Sequence, residues 1–247
     1  MPDPLGRAWA FLERADMAGG RTAPSRVGTA VYDDAVPLRL DSNFLRVELR
    51  AEPEEVLSEA QRLDRRMIVF RSTDEGERLA PFFAERGWLV RRQVLMAQVR
   101  DPDRDGDAGT VEEVAEEELR PARQRVVADE PWGKPEVMAQ LFAGKHRIGQ
   151  RVRARFFAVK VDGEVVSYSD LYQDGVDAQV EDVGTLPEHR GRGYATTIVL
   201  AAIAAARTDG AEFVFLVADQ EDWPKELYRK LGFDELGYYL KLVSPGA

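Results

Sequence analysis

A glycine-rich turn with two arginines is the part of this 247-residue sequence that points most directly to chemistry. It spans residues 190–195, reads Arg-Gly-Arg-Gly-Tyr-Ala, and lies between a strand-like run at 180–186 and an alanine-rich helical run at 196–206. Backbone N–H groups in such a turn, with the N-terminus of the next helix, attract phosphate. Glycines there let the backbone approach a ligand closely, and arginines add permanent positive charge.

We therefore predict a phosphate-binding turn at this place. Its predicted members are Arg190, Gly191, Arg192, Gly193, Tyr194 and Ala195. The turn lacks the Gly-Lys-Ser/Thr ending of a nucleotide P-loop and the three-glycine spacing of a dinucleotide-binding fingerprint, so neither ligand class is favoured. Taken alone, so short a string also fits an ordinary surface turn.

The residues that follow strengthen the interpretation. An apolar run at 213–217 has the length and composition of a buried strand. Asp222 is a suitable N-cap, Pro224 fits a first helical turn, and Gly232 is a suitable stop after a short helix that ends in Leu-Gly-Phe.

The two motifs, in this order and separated by one helix, resemble the signatures of the GNAT superfamily of N-acetyltransferases. The phosphate turn matches at Arg190, Gly193 and Ala195, and the second motif matches at Leu227-Tyr228 and 231–233. Glu221 and Pro224 depart from the asparagine and alanine frequent in the family, which puts an asparagine contact to the cofactor in doubt.

The resemblance implies an α/β fold with a mixed, mostly antiparallel sheet flanked by helices. It also implies acetyl-CoA as the cosubstrate, with no metal. The pantetheine arm would pair with a strand edge at Val183, Gly184 and Thr185. Gly184 is interpreted either as the site of a bulge that opens the cleft or as a packing glycine.

The resemblance assigns Tyr228 as the acid for the departing thiolate, because a phenol is reasonably matched to an alkyl thiol. Without the resemblance, a packing tyrosine is the simpler interpretation. For the base we favour Glu181 over Asp182, since neighbouring strand residues point to opposite faces and only one can face the cleft. His146 is a further candidate base, and His189 is predicted to support phosphate.

The chain divides at a charged segment rich in Gly and Pro, at 100–109, which is typical of a linker. We predict an N-terminal domain over 1–105 and an acetyltransferase domain over 106–247. In the second domain we predict a strand at 111–114, two helices at 116–128 and 134–144, and a hairpin across Asp162-Gly163.

The first domain resembles a degenerate copy of the same unit, which implies a tandem arrangement. The strand Met67 to Phe70, the helix around Phe83 and the Gly87-Trp88 pair repeat the order found at 213–233. A chance recurrence of strand, helix, glycine and aromatic residue remains open. No phosphate turn precedes this copy, so we expect it not to bind acetyl-CoA in the usual way.

Composition limits the other function classes. A net charge of −10 argues against general nucleic-acid binding. The chain has no cysteine and two histidines, which excludes disulfides and thiolate sites and makes a histidine zinc site improbable. We expect a cytoplasmic protein without a membrane partner. The sequence leaves open whether it forms a homodimer.

Two function classes follow: an acetyl-CoA-dependent N-acetyltransferase acting on a primary amine of a small molecule or peptide, or a non-catalytic acyl-CoA-binding regulatory protein. The retained Tyr228 and the intact turn favour the enzyme. Acceptor choice is predicted to depend on 123–150, including Glu130 and Trp132, although both are equally explicable as surface and packing residues. The acceptor itself is not identified.

Overall fold

The computed structural model describes residues 3–16, 20–103, 110–128, 130 and 133–246. The described α-helices are α1 (Pro4–Asp16), α2 (Pro53–Arg62), α3 (Thr73–Ala84), α4 (Glu116–Val126), α5 (Pro135–Gly149), α6 (Tyr194–Thr208) and α7 (Pro224–Lys230). The described strands are β1 (Arg21–Ser25), β2 (Gly28–Tyr32), β3 (Leu45–Val47), β4 (Met67–Phe70), β5 (Leu89–Gln98), β6 (Val111–Val114), β7 (Arg153–Val161), β8 (Glu164–Asp174), β9 (Asp177–Thr185), β10 (Phe213–Asp219) and β11 (Phe233–Val243).

All eleven described strands belong to one sheet, in the order β1-β2-β3-β4-β11-β5-β10-β9-β8-β7-β6. Only β3 with β4 and β9 with β10 pair in parallel, and the other neighbours are antiparallel. The predicted mixed, mostly antiparallel α/β class is confirmed.

The two halves of the sheet repeat the same order of elements. A strand, a helix, a parallel strand, a second helix and a final strand occur as β3-α2-β4-α3-β5 and again as β9-α6-β10-α7-β11. This order confirms the repeat that the sequence predicts. The loop after β3 contains no glycine and leads to Pro53, so the first copy lacks the phosphate turn.

The final strands are exchanged between the halves. Strand β5 pairs with β10 on one side and β11 on the other, while β11 pairs with β4. The central β5–β11 pair joins ten positions, from Phe233 opposite Gln98 to Val243 opposite Leu89. The two halves therefore share one sheet. The predicted boundary at 105/106 falls on residues outside the described part and stays a prediction.

The sheet buries both of its faces because successive side chains alternate. Leu95, Phe215 and Tyr239 pack with α1 on one face, whereas Met96 and Leu216 pack with α6 and α7 on the other. We call the first the cavity face. Helices α4 and α5 lie on it as well, because Arg123 of α4 and Lys145 of α5 both contact Asp170.

Candidate active site

A cleft opens between two neighbouring parallel strands. Strands β9 and β10 pair at only three positions, from Phe213 opposite Asp177 to Phe215 opposite Gln179. Beyond these pairs β9 continues to Thr185 and β10 to Asp219 without pairing to each other. The edge of β9 from 180 to 185 therefore faces the gap with its backbone groups available, as a strand-like ligand requires.

The glycine-rich turn connects the open end of β9 to α6. Gly191 and Gly193 have φ values of 75° and 84°, and Gly193 is the N-cap of α6. No protein atom lies within 4 Å of a Cβ built at either glycine. The backbone is thus presented to open space in the left-handed conformation that glycine adopts without cost, which suits an anion at a helix N-terminus.

The arginines of the turn are exposed. Arg190 Nε donates to the Thr185 carbonyl at 3.3 Å, and Arg192 Nη2 approaches the Glu188 carbonyl at 3.5 Å. Neither guanidinium is held by a carboxylate in these contacts, so both retain donors for a phosphate.

The bulge in β9 lies at Asp182 and not at Gly184. The pairing of β8 with β9 shifts between Tyr168 and Asp170, and Asp182 has a φ of 53°. Gly184 instead packs closely on a ring, because a Cβ there would lie 2.2 Å from Cζ of Tyr168. Of the two interpretations left open for Gly184, the packing glycine is correct.

The same bulge corrects the expectation that Glu181 and Asp182 face opposite sides. Lys145 Nζ lies 3.0 Å from Asp182 Oδ2 and 2.8 Å from Asp170 Oδ2, and it lines the same cavity as Glu181. A residue with positive φ interrupts strict alternation, so both carboxylates turn toward Lys145. They nevertheless differ in role, since Asp182 also pairs with Arg123 at 2.8 Å.

Glu181 is the carboxylate suited to act as a base. Its Oε2 accepts a hydrogen bond of 2.8 Å from Gln179 Nε2, and no ion pair of the described residues includes it. Burial raises its pKa to about 7, helped by Asp182 and Asp170 and opposed by Lys145 and Lys241. A carboxyl group that titrates near neutrality both accepts and releases protons at physiological pH.

Tyr228 lies on α7, the helix between β10 and β11, and packs in the same hydrophobic cluster as α6. It is 8% exposed, and its ring centroid lies 6.2 Å from that of Phe233. Burial raises its pKa, and the nearby charge of Glu181 adds to this effect. The phenol is therefore protonated at physiological pH and able to donate.

The helix that carries Tyr228 begins one residue later than the sequence indicates. Trp223 is the N-cap residue, and no side chain caps the helix. Asp222, predicted as the cap, instead accepts from the Trp223 N–H at 2.7 Å. Pro224 occupies the first helical position and Gly232 follows the end with a φ of 90°, as predicted.

A cavity of about 170 Å³ adjoins Glu181 on the cavity face. Its floor consists of alternate residues of several strands, including Glu181 on β9, Val217 on β10 and Tyr239 on β11. Helix α1 contributes Trp9, and α5 contributes Lys145. Both halves of the chain therefore build this cavity.

The cleft and its neighbouring residues fall within a stretch that matches a known family. The model of the acetyltransferase (GNAT) family matches residues 113–233. Residues 113–233 belong to the acetyltransferase (GNAT) family. The match includes the phosphate turn, Glu181 and Tyr228, and it supports acyl transfer as the chemistry of this domain.

Solved structures resemble the whole chain and not only the acetyltransferase domain. A functionally unknown conserved protein from Staphylococcus epidermidis has a TM-score of 0.68 at 16% identity, covering 91% of this chain and 94% of its own. A GCN5-related N-acetyltransferase from Kribbella flavida has a TM-score of 0.61 at 19% identity, covering 98% and 95%. These similarities show the fold.

A third similar structure is a tandem GNAT protein from the clavulanic acid biosynthesis pathway, with a TM-score of 0.55 at 14% identity, covering 98% of this chain and 96% of its own. It agrees with the repeat seen here, and the tandem fold is thereby shown. A search of curated proteins found no match.

The other sequence candidates are not among the residues that line the cavity beside Glu181. His146 is exposed on α5 and contacts Gln150 through Nε2 at 3.2 Å. His189 precedes the phosphate turn, 6.4 Å from the Tyr194 ring. Glu130 is exposed, and Trp132 lies outside the described residues.

Several residues near Glu181 were not predicted from the sequence. Lys145, Arg123 and Asp170 form a buried ion-pair group behind Glu181, and Tyr172 donates to Asp170 Oδ2 at 2.8 Å. The sequence held one weak signal, because an aspartate inside the apolar run of β8 must be paired once buried. Its partners, on two different helices, could not be named without the tertiary structure.

No cluster of acidic, histidine or cysteine side chains among the described residues could hold a metal ion. None of the described helices has the length and apolar character needed to cross a bilayer.

Proposed function

We propose that the chain is an acetyl-CoA-dependent N-acetyltransferase that transfers an acetyl group directly to a primary amine. The divergence of β9 from β10 after only three pairs carries this proposal. It leaves a strand edge free beside a glycine turn. Glu181 lies on the same strand, and its charge raises the pKa of the buried Tyr228 phenol on α7, which supports a role for both side chains at this cleft. A cleft of this form fits a ligand with a diphosphate at one end and an amide-containing arm.

The residues present fit acetyl-CoA. The backbone at 191–195 and the side chains of Arg190 and Arg192 would hold its pyrophosphate, and Val183, Gly184 and Thr185 would pair with its arm. Acetyl-CoA would supply an activated acetyl group as a thioester.

The side chains provide the two proton movements that amine acylation needs. Glu181 accepts the proton that the acceptor ammonium must lose before nitrogen can attack. Tyr228 donates to the sulfur that leaves as a thiolate. A backbone N–H of the β9 edge is available to stabilise negative charge on the carbonyl oxygen.

Release of free thiol from acetyl-CoA in the presence of a panel of amines tests the proposal. The chain contributes no cysteine background. Amine-dependent release supports it. Binding of acetyl-CoA without release for any amine would favour the alternative, a non-catalytic acyl-CoA-binding regulatory protein.

We expect one acetyl-CoA site per chain. Only the C-terminal half combines a splayed strand pair with a glycine turn among the described residues, whereas β3 is followed by 48–52, which contain no glycine. Calorimetric titration should give a stoichiometry of one. Two equivalent sites would contradict the assignment of the N-terminal half as degenerate.

We expect Gly193→Val to weaken acetyl-CoA binding more than Arg190→Ala. Valine at a φ of 84° carries strain of about 1–2 kcal/mol or more, and it would distort the backbone donors. Arg190 adds an exposed charge that salt screens. Gly210→Val is the matched control, because Gly210 has a φ of 86° at the other end of α6 and equally open surroundings.

Isothermal titration of the three folded variants distinguishes the contributions. The control should keep wild-type affinity. Loss of affinity in Arg190→Ala alone would show that charge, and not backbone geometry, anchors the cosubstrate.

A further inference from the structure

The cavity beside Glu181 gathers positive charge in a chain whose net charge is −10. Its basic lining residues are Arg39, Arg46, Arg71, Lys145 and Lys241. Its acidic lining residues are Glu13, Asp41 and Glu181. A cavity with this excess of cations favours a ligand that carries a negative charge.

Four of the five cations already have carboxylate partners. Arg46 and Arg71 share Glu13, each at 2.9 Å, and Arg46 also pairs with Glu48 at 2.7 Å. Lys241 pairs with Asp41 at 2.6 Å, and this pair lowers the pKa of Asp41 to about 2. Lys145 pairs with the two aspartates behind it.

Arg39 is the exception among these five side chains. Its Nη1 donates to Ser42 Oγ, and no carboxylate of the described residues forms an ion pair with it. A guanidinium has five donors in a planar fork, so most of its hydrogen-bonding capacity remains for a ligand.

Arg39 is held in place by the other half of the chain. It precedes the short turn Leu40–Ser42 in the N-terminal half and crosses α5 at Gly144. A Cβ built on Gly144 would lie 2.4 Å from Arg39 Cδ, so a side chain at position 144 would require the flexible end of Arg39 to move. The next residue on α5, Lys145, lines the same cavity as Glu181.

We infer that this cavity binds a small amino acid as the acetyl acceptor, with its carboxylate on Arg39 and its amine at Glu181. This inference rests on the proposed function. The cavity volume of about 170 Å³ suits a small molecule and not a protein segment. Tyr239 and Val217 give the carbon skeleton an apolar wall.

A carboxylate fits the charge balance better than a phosphate. Arg39 leaves one unpaired positive charge, which a single carboxylate neutralises with bidentate hydrogen bonds. A phosphate dianion would add a second negative charge near Asp41 and Glu13. The N-terminal half, which lacks the phosphate turn, thereby acquires the role of selecting the acceptor.

Matched acceptor pairs test the inference by thiol release from acetyl-CoA. Each pair is a free amino acid, α or ω, and its amide, which keeps the amine and the side chain but loses the negative charge. For the acids that are acetylated, the wild-type protein should show kcat/KM at least about tenfold above that of the amides, as the loss of a charged hydrogen bond predicts. Aminoalkyl phosphates, which carry a phosphate in place of the carboxylate, are assayed as a third class of acceptor.

Variants at Arg39 and Gly144 test whether the preference for amino acids over their amides depends on Arg39. Arg39→Gln should bring the ratio of kcat/KM for the amino acid to kcat/KM for its amide close to one. Arg39→Lys should retain part of the preference for the amino acid. Gly144→Ala should also reduce this ratio of kcat/KM values, because the added methyl group displaces Arg39, although the substitution removes no charged group. Arg21→Gln is the control, since Arg21 is an exposed arginine of the same half that pairs with Asp34 and lies outside the cavity lining. Melting temperature and acetyl-CoA affinity identify any misfolded variant.

The outcomes separate this inference from the proposed function. Equal kcat/KM for acids and amides, or a preference that Arg39→Gln and Gly144→Ala both leave intact, would overturn the inference while amine acetylation stands. Faster turnover of the phosphates would overturn the carboxylate assignment. Absence of thiol release with every amine would overturn both.

Discussion

Tyr228→Phe is expected to lower kcat by about 10²- to 10⁴-fold, the usual contribution of a general acid, while the Kd for acetyl-CoA stays nearly unchanged. The phenyl ring still fills the site next to Phe233, so α7 and the cleft should keep their structure. Only the hydroxyl that donates to the departing sulfur is lost. Because burial raises the pKa of Tyr228, the wild-type hydroxyl stays protonated throughout the working pH range.

Steady-state kinetics with a validated amine, together with calorimetric binding of acetyl-CoA, measure the effect. An equal drop in kcat and kcat/KM indicates an interaction made in the transition state. Tyr238→Phe is the matched control, because it removes a hydroxyl that donates to Glu77 at 3.2 Å, away from the cleft. Wild-type kcat in Tyr228→Phe would assign the residue to packing and place the acid elsewhere.

Glu181→Gln is expected to lower kcat/KM by a comparable factor of about 10²–10⁴ and to change the pH profile. Only the carboxylate form accepts a proton. Since burial raises the pKa of Glu181 to about 7, most of the group is protonated and inactive below that pH, and activity should rise with pH through about 7. In Glu181→Gln the rise of activity near pH 7 should disappear. Only the rise caused by deprotonation of the acceptor's own ammonium should remain.

The pH dependence of kcat/KM between about 5 and 9 tests this assignment. His146→Asn is the control, because His146 is the other candidate base predicted from the sequence, yet it is exposed and lies outside the cavity lining. If the limb near pH 7 persists in Glu181→Gln and disappears in His146→Asn, the histidine is the base and Glu181 is not.

Local features of the chain were predictable from the sequence because they depend on neighbouring residues. The strand β4 occupies the predicted 67–70, and the hairpin turn falls at Asp162-Gly163 with positive φ at both residues. The phosphate turn leads into α6 where its glycines indicate. Predicted helix ends differ by a few residues, as with α5, which continues five residues beyond the predicted 144.

The place of the bulge was not predictable in this way. Glycine is the usual residue at positive φ, and a bulge at Gly184 was one of the two interpretations that the sequence left open for that residue, but an aspartate takes this conformation at 182. Ion pairs of Asp182 with Arg123 and Lys145 fix it there. Those partners lie on α4 and α5, far from Asp182 in the sequence, and no local sequence pattern predicts these ion pairs.

The sequence by itself determined that this chain has a phosphate-type turn, a tyrosine-bearing helix after a buried strand, and a second, altered copy of that unit. The tertiary structure alone decided how the copies combine. Exchange of β5 and β11 makes one sheet of the two halves, and the cavity then takes Arg39 from one half and Glu181 from the other. Strand exchange depends on pairing between residues more than a hundred positions apart, and such pairing leaves no signature in the spacing of residues along the chain.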